Sequence, residues 1–187
     1  MIDTGDTGDA RTAALKGVRA MLSLREERPR EGLAETPSRV VKAFLEMTTG
    51  YDQDPAKILS TTFDVKHTEL IVVEGVDFVS LCEHHLLPFV GRARVGYLPG
   101  SRIVGLSKLA RLVDCYARRL QVQERLTNQI ATAIMEHLDA QGAGVVLRAE
   151  HSCMSCRGVG KRASMVTSSM LGSLRVDAAQ RAEFLSL

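Results

Sequence analysis

The N-terminal part of the chain carries apolar residues at every third or fourth position, which predicts helices. The first such run covers residues 10–27 and follows an acidic, glycine-containing segment, residues 1–9, that we expect to be a disordered tail. Thr36 and Pro37 predict the start of a second helix, because Thr caps helix N-termini and Pro fits the first turn. This helix should end near Gly50, and residues 52–59 predict a further short helix. The apolar residues expected to face inward from the second helix are Val40, Val41, Phe44, Leu45 and Met47.

From Thr61 the apolar residues alternate instead, which predicts strands. Residues 69–82 are rich in β-branched side chains and are interrupted by Glu74-Gly75, which indicates two strands or one bulged strand. In residues 89–100 the alternation places Arg92 and Arg94 on one face and Ala93 and Val95 on the other. Residues 1–9, 10–60 and 61–187 are therefore predicted to be a tail, an N-terminal helical region and a domain built on strands.

Two longer helices are predicted in the second half of the chain. One follows a short strand in residues 102–107 and is capped by Ser107, and the other runs from about Val122 to Asp139, ended by Gly142 and Gly144. Strands in residues 143–154 and 163–174 flank a basic loop, and a helix capped by Asp177 closes the chain. This order predicts an α+β fold with an antiparallel sheet and helices on one face. Open sheet edges favour self-association, so we expect an oligomer.

Composition narrows the range of partners. The 187 residues carry a net charge of +2, which gives no general reason to bind nucleic acid or an anionic membrane. No run approaches the roughly 20 apolar residues of a membrane-spanning helix, and the N-terminus does not resemble a signal peptide. We therefore expect a cytoplasmic protein, with no nucleic-acid or membrane partner. Its four cysteines are interpreted as metal-binding, catalytic or buried thiols rather than a disulfide framework.

The strongest chemical signal is the segment "SLCEHHLLPF", residues 80–89. Cys82 and His85 have the Cys-x-x-His spacing that can place a sulfur and an imidazole nitrogen on one zinc ion. The segment "EHSCMSCRG" offers Cys153 and Cys156 as further ligands. His151 precedes Cys153 by two residues, so on a strand both would project from the same face.

Two kinds of zinc site fit this spacing. Cys82, His85, Cys153 and Cys156 could form a closed structural site, whereas three ligands would leave a position open for catalysis. Glu83, His84 and His151 crowd the same segments, and a structural site has no use for them. A catalytic site needs groups that move protons, which favours the open site. Cys115, in the apolar middle of a helix, is expected to be core.

Basic residues occur in pairs with helical spacing. Arg39 and Lys42 share one helix face, and Lys108 and Arg111 repeat the spacing beside Ser107 at the start of another helix. Such residues are usually only solvated. Two pairs, with Arg157 after the Cys153 loop, favour a polyanionic substrate.

Three long segments, "LCEHHLLPFVGRARVGYLPG", "VGLSKLARLVDCYARRLQVQERLTNQIA" and "HSCMSCRGVGKRASMVTSSMLG", together resemble GTP cyclohydrolase I from about Thr36 to Leu174. The resemblance implies the tunnelling fold (T-fold), in which a barrel forms only through oligomerisation. It implies a homodecamer with active sites between subunits. It further implies Zn²⁺-dependent opening of the guanine imidazole ring of GTP, with release of formate and formation of 7,8-dihydroneopterin triphosphate, the first step of folate and pterin biosynthesis.

The resemblance also implies roles for residues. The zinc ligands would be Cys82, His85 and Cys153, leaving Cys156 as a non-ligand. His151 would protonate N7 of the purine, with His84, Ser107 and Glu83 as further catalytic candidates. Glu124, with Gln123 beside it, would bind the guanine edge. The residues expected around the triphosphate are Arg39, Lys42, Lys108, Arg111 and Arg157. Two alternatives remain: a relative that stops at a ring-opened formamide, and a non-catalytic purine- or pterin-binding assembly that keeps zinc for stability.

Overall fold

A computed structural model describes residues 7–28, 30–64 and 66–187. Backbone contacts divide the chain into two compact units, residues 1–47 and 48–187. Of the expected N-terminal tail, residues 1–6 lie outside the described residues. Residues 7–9 form the first turn of a helix rather than a tail. No helix in the described ranges is long and apolar enough to cross a membrane.

The N-terminal unit is helical. It contains α1 (Thr7–Ser23), a 3₁₀ turn (Glu31–Leu33) and α2 (Thr36–Met47), which begins where Thr36 and Pro37 predicted. Of the apolar residues expected to face inward from α2, Val41 is buried, whereas Val40, Phe44 and Leu45 are exposed. The predicted apolar face therefore exists, but most of it is open to solvent in the single chain.

The second unit begins with a 3₁₀ turn (Thr49–Asp52) and the expected short helix, α3 (Pro55–Leu59). Its strands are β1 (Thr62–Phe63), β2 (Ile71–Cys82), β3 (Pro88–Leu98), β4 (Ile103–Val104), β5 (Leu120–Gln121), β6 (Gly142–His151) and β7 (Ser164–Gly172). Its remaining helices are α4 (Leu106–Ala117), α5 (Gln123–His137), α6 (Ser152–Ser155), α7 (Ser173–Val176) and α8 (Ala178–Ser186).

The main sheet has the strand order β5-β2-β3-β6-β7, and β1 pairs with β4 separately. Neighbours in the main sheet are antiparallel except β5, which runs parallel to β2. The bulged-strand interpretation of residues 69–82 is confirmed, because the β2–β3 register shifts between Val73 and Val76. Gly75 lies in this bulge with φ of 72°, a conformation that glycine adopts without steric cost.

The core lies between one face of the sheet and helices α4 and α5. On β3 the expected alternation is present: Ala93, Val95 and Tyr97 are buried, and Arg92 is exposed. The apolar sides of α4 and α5 pack against this face, and the buried residues of both helices and of the sheet form one cluster. The predicted α+β fold with helices on one face of an antiparallel sheet is thereby confirmed. Cys115 is fully buried, as expected.

Several predicted boundaries are wrong for identifiable reasons. The N-cap of α4 is Gly105, so Ser107 lies inside the first turn and is not the cap. Helix α5 ends before Asp139, which takes the left-handed conformation with φ of 50°, and Gly142 already begins β6. The cap of the last helix is confirmed, since the Asp177 carboxylate accepts from the backbone N–H groups of Ala179 and Gln180.

Candidate active site

A tight turn after β2 gathers one sulfur and two imidazoles. The Leu86 N–H donates to the Cys82 carbonyl over 2.8 Å, and the Cys82 N–H donates to the Leu87 carbonyl over 2.9 Å. Leu86 closes the turn with φ of 54°, which is uncommon for a residue with a side chain. Within this turn the Cys82 Sγ lies 3.8 Å from Nδ1 of both His84 and His85.

Cys153 reaches the same place from the other side of the β3–β6 ladder. The strand β6 ends at His151, and the chain then makes the helical turn α6, which contains Cys153. The expectation that His151 and Cys153 share a strand face is therefore wrong, although both lie at this end of the sheet. The ligand atoms of Cys82, His85 and Cys153 all lie within 4.8 Å of one another.

These three side chains fit a divalent metal. Tetrahedral zinc with Zn–S near 2.3 Å and Zn–N near 2.0 Å sets its ligand atoms roughly 3.5–3.8 Å apart, close to the Cys82–His85 separation. Burial, and the neighbouring Cys82 thiol, raise the pKa of the Cys153 thiol. The Cys153 thiol therefore resists ionisation until a cation balances its charge. Cys156 is exposed and is not a member of this group. The group therefore supplies three ligands, one fewer than a closed structural zinc site.

Glu83 and His84 occupy the outer side of the turn. Glu83 forms an ion pair with Arg125 of α5, and its backbone N–H donates to the Gln121 carbonyl over 3.0 Å. The hydrogen bond from Arg125 lowers the pKa of the Glu83 carboxyl, so this group is an ionised acceptor at neutral pH. The His84 side chain is 63% exposed and has its Nε2 3.8 Å from Glu83, which leaves it accessible to a ligand.

His151 is the most tightly held of the predicted catalytic residues. Its ring stacks on Phe89, its cross-strand partner, with centroids 4.6 Å apart and planes 6° apart. Its Nε2 lies 2.8 Å from the Oε1 of Gln123. Burial lowers the pKa of His151, and the negative charge of Glu124 opposes that shift. A half-buried, neutral imidazole with a fixed orientation can exchange a proton with a bound base.

Gln123 and Glu124 are consecutive residues in the first turn of α5 but have opposite surroundings. Gln123 is buried, and its amide contacts His151, β6 and β7. Glu124 is exposed, near enough to His151 to influence its charge. The carboxylate is therefore available to a ligand beside the imidazole, whereas the amide already has protein partners.

Most of the predicted basic residues lie around an anion-compatible cavity or beside the metal group. A cavity of about 450 Å³ is lined by Lys57, Lys108, Arg111 and Arg118, together with Gln53, Asp54, Ile58 and Asp114. Ser107 is exposed in the first turn of α4, next to Lys108. Arg157 lies 3.3 Å from His85 Nε2 and donates to the Cys153 carbonyl over 3.3 Å. Arg39 and Lys42 are exposed on α2, in the N-terminal unit.

The sequence interpretation did not find several residues that organise the site. Thr127 and Thr167 bond to Gln123 and to each other, and Arg125 holds Glu83. One signal was available: Thr127 follows Gln123 by four residues, so two polar side chains lie on the buried face of one helix. Nothing in the sequence pattern indicated their partner on β7.

Comparison with known proteins places these features in context. The family model described as GTP cyclohydrolase I matches residues 14–187. A GTP cyclohydrolase 1 of Nitrosospira multiformis is 52% identical over 185 residues, covering 97% of each chain. One from Janthinobacterium sp. is 53% identical over 172 residues, covering 90% of this chain and 87% of the relative. Among solved structures, an archaeosine synthase QueF-like protein in the apo form covers 56% of this chain and 96% of its own, with TM-score 0.44 and 16% identity. That similarity is too low to bear on fold or function.

Proposed function

The chain belongs to the GTP cyclohydrolase I family, and from this premise we propose that it hydrolytically opens the imidazole ring of GTP. The products are formate and 7,8-dihydroneopterin triphosphate, a precursor for folate and other pterins. The observation that carries the proposal is the Cys82, His85 and Cys153 group beside a fixed imidazole, within a chain that matches the family almost end to end. Neither alternative, early arrest at a formamide or binding without catalysis, is favoured by relatives named for the full activity.

The resident metal in this proposal is Zn²⁺, held by Cys82, His85 and Cys153. Bound there, it supplies a Lewis acid that makes water reactive near neutral pH. A site with two sulfur ligands and one nitrogen ligand binds zinc in preference to magnesium or calcium. Arg157, beside His85, places a positive charge at the edge of this group.

His151 is the proposed proton donor to N7 of the purine, which makes C8 electrophilic. Its stacking on Phe89 and its bond to Gln123 hold the ring still, so little ordering remains to be done when substrate binds. His84, which is exposed beside the same turn, is proposed to take part in the later proton transfers. Glu83 remains a catalytic candidate, but its ion pair with Arg125 supports a role as an ionised group that holds the turn.

Glu124 is the proposed guanine-binding residue. A carboxylate accepts from N1–H and the 2-amino group of guanine together, and such charge-assisted pairs are stronger than neutral ones. Adenine lacks this pair of donors, so the contact also selects the base. The contact of Gln123 with guanine stays a prediction from the sequence.

The triphosphate is proposed to bind the basic residues Lys108, Arg111, Arg157, Arg39 and Lys42, with Ser107 at the ribose or a phosphate. Support comes from the cavity beside α4, where Lys108 and Arg111 lie with two further cations. Phosphate groups favour such clusters, particularly at the start of a helix.

The proposed assembly is a homodecamer with active sites between subunits, in which T-fold sheets close into a barrel. Two features support association: β7 is an edge strand of nine residues, and Val40, Phe44 and Leu45 are exposed on α2. Long open edges and apolar patches are unfavourable in a monomer. A cytoplasmic location is also proposed, because thiolate ligands survive in a reducing compartment.

Incubation of the zinc-loaded protein with GTP tests the function. We expect formate and, after oxidation, a fluorescent pterin in equal molar amounts. Formate without a pterin, or an opened base alone, would support the early-arrest alternative. Bound but unaltered GTP would support the non-catalytic assembly and overturn the proposal.

A further inference from the structure

The orientation of the Gln123 amide is fixed by its surroundings. Its Nε2 lies 3.2 Å from the Leu147 carbonyl and 3.1 Å from the Met165 carbonyl. Backbone carbonyls only accept hydrogen bonds, so the amide atom that faces them is the nitrogen. The amide oxygen therefore points the other way, toward His151.

A closed ring of hydrogen bonds supports this orientation. The Thr127 hydroxyl donates to the Gln123 carbonyl over 2.6 Å, which uses its single proton. The contact of 2.6 Å between the two threonine hydroxyls must then have Thr167 as donor. The Thr167 oxygen is left to accept from Gln123 Nε2, 3.1 Å away. Each donor has an acceptor and the direction of every bond is determined.

The tautomer of His151 follows from the position of that oxygen. The Gln123 Oε1 can only accept, so the His151 Nε2 at 2.8 Å must carry a proton. In the neutral imidazole Nδ1 then keeps its lone pair. The parallel stack on Phe89 fixes the ring plane, so the direction of Nδ1 is set as well.

We propose that Gln123 is a positioning residue that holds His151 as the Nε2–H tautomer, so that Nδ1 is the nitrogen through which a proton is taken up and then donated to N7 of the purine. The second half of this statement rests on the proposed function, whereas the tautomer does not. Gln123 thus acts through His151, with Thr127 and Thr167 as its anchors on α5 and β7. Second partners that orient a histidine in this way are a general device of active sites.

The tautomer can be measured without substrate. The zinc-loaded protein, labelled with ¹⁵N in its histidines, is studied by magic-angle-spinning NMR, and His151 is assigned by its absence in His151→Asn. We expect the wild-type signals of a protonated Nε2 and an unprotonated Nδ1. A wild-type Nδ1–H tautomer would overturn the proposal, and the tautomer itself is read from the wild-type protein.

Gln123→Met removes the acceptor while keeping a similar side-chain volume. We expect a mixture of His151 tautomers, unchanged zinc content, and a fall in kcat of roughly 10- to 100-fold with a smaller change in KM for GTP. Thr167→Val, which removes one anchor, should shift the tautomer in the same direction but less. The matched control is Gln121→Met, because Gln121 is equally buried and bonds to Tyr116, Gln129 and Arg125 rather than to His151; its His151 signals should stay those of the wild type. Wild-type signals in Gln123→Met would refute the positioning role even if GTP turnover fell as expected.

Discussion

His151 and Cys153 are separated by one residue but have different partners and different proposed roles. The Cys153 sulfur lies within 4.8 Å of the ligand atoms of Cys82 and His85, in a group that could hold a metal ion. The His151 imidazole is instead engaged by Phe89 and Gln123, so one of its nitrogens is already committed to the protein. His151 is not a member of that group, so we assign its remaining nitrogen to proton exchange rather than to the metal.

This difference predicts opposite metal contents for two variants. Cys153→Ser should lose zinc and all measurable turnover, because a hydroxyl is a poor replacement for a thiolate. His151→Asn should retain zinc and lose roughly 100- to 10,000-fold in kcat, the usual contribution of a general acid. Metal content by mass spectrometry and pterin fluorescence measure the two effects. Loss of zinc from His151→Asn would place His151 among the ligands and remove its proton-donor role.

The position of Glu124 predicts an effect on substrate affinity. Glu124→Ala would leave two guanine donors without their acceptor, and charge-assisted bonds of this kind contribute about 1.5–3 kcal/mol. We expect KM for GTP to rise roughly 10- to 100-fold, with discrimination against ATP reduced. Steady-state kinetics with both nucleotides provide the measurement. Glu136→Ala is the matched control, since Glu136 is exposed near the other end of the same helix; equal effects in the two variants would exclude a specific contact.

At the scale of elements, the long segments could be predicted from the sequence and the junctions could not. The alternation in β3 and the helical periods of α4 and α5 each extend over many residues, so tertiary contacts reinforce the local pattern. Strand β5 has two residues and exists because Leu120 and Gln121 pair with the end of β2, which no local pattern encodes. The turn α6 was predicted as strand because Ser152 and Cys153 continue the apparent alternation. The site lies at these junctions. Its ligands were predictable because Cys82 and His85 have a recognisable local spacing. Gln123, Thr127 and Thr167 were not understood as a unit because their contacts join α5 to β7.

The close packing of β3 against β6 leads to a test of how the two strands position the site. A Cβ built on Gly91 would lie 2.2 Å from the Arg148 carbonyl oxygen and 2.6 Å from the Ala149 Cβ. Gly91→Ala must therefore push β6 away from β3, at a cost of roughly 1–3 kcal/mol. Because β6 carries His151 opposite Phe89, we expect lower kcat as well as a lower midpoint of thermal unfolding.

The control for this variant is Gly17→Ala in α1, where an added Cβ meets nothing within 4 Å. Alanine in a helix interior is more favourable than glycine by about 0.5–1 kcal/mol, so this variant should be slightly more stable and fully active. Thermal unfolding and pterin formation are measured on both variants. An unchanged midpoint for Gly91→Ala would show that the β3–β6 ladder tolerates separation and does not fix the position of His151.

At the scale of the whole molecule, the residues of the metal group and the residues of the basic cavity form two separate sets. Cys82, His85 and Cys153 belong to the first, and Lys108 and Arg111 line the second. GTP carries its base and its triphosphate at opposite ends, so in the proposed function one nucleotide engages both sets. If active sites lie between subunits, each site takes the metal group from one subunit and the cavity from a neighbour.

Shared sites predict complementation between inactive variants. His151→Ala disables the metal side and the double variant Lys108→Ala/Arg111→Ala disables the phosphate side. When the two are co-expressed in equal amounts and assemble at random, about a quarter of the sites combine two intact sides, so activity should recover to about a quarter of wild type. Co-expression of His151→Ala with Cys153→Ser is the control: every metal side is then defective, and no recovery is expected. Pterin formation by the purified mixed oligomers measures both pairs. If the first pair stays as inactive as the control, base and triphosphate are bound within a single subunit and the proposed shared site is wrong.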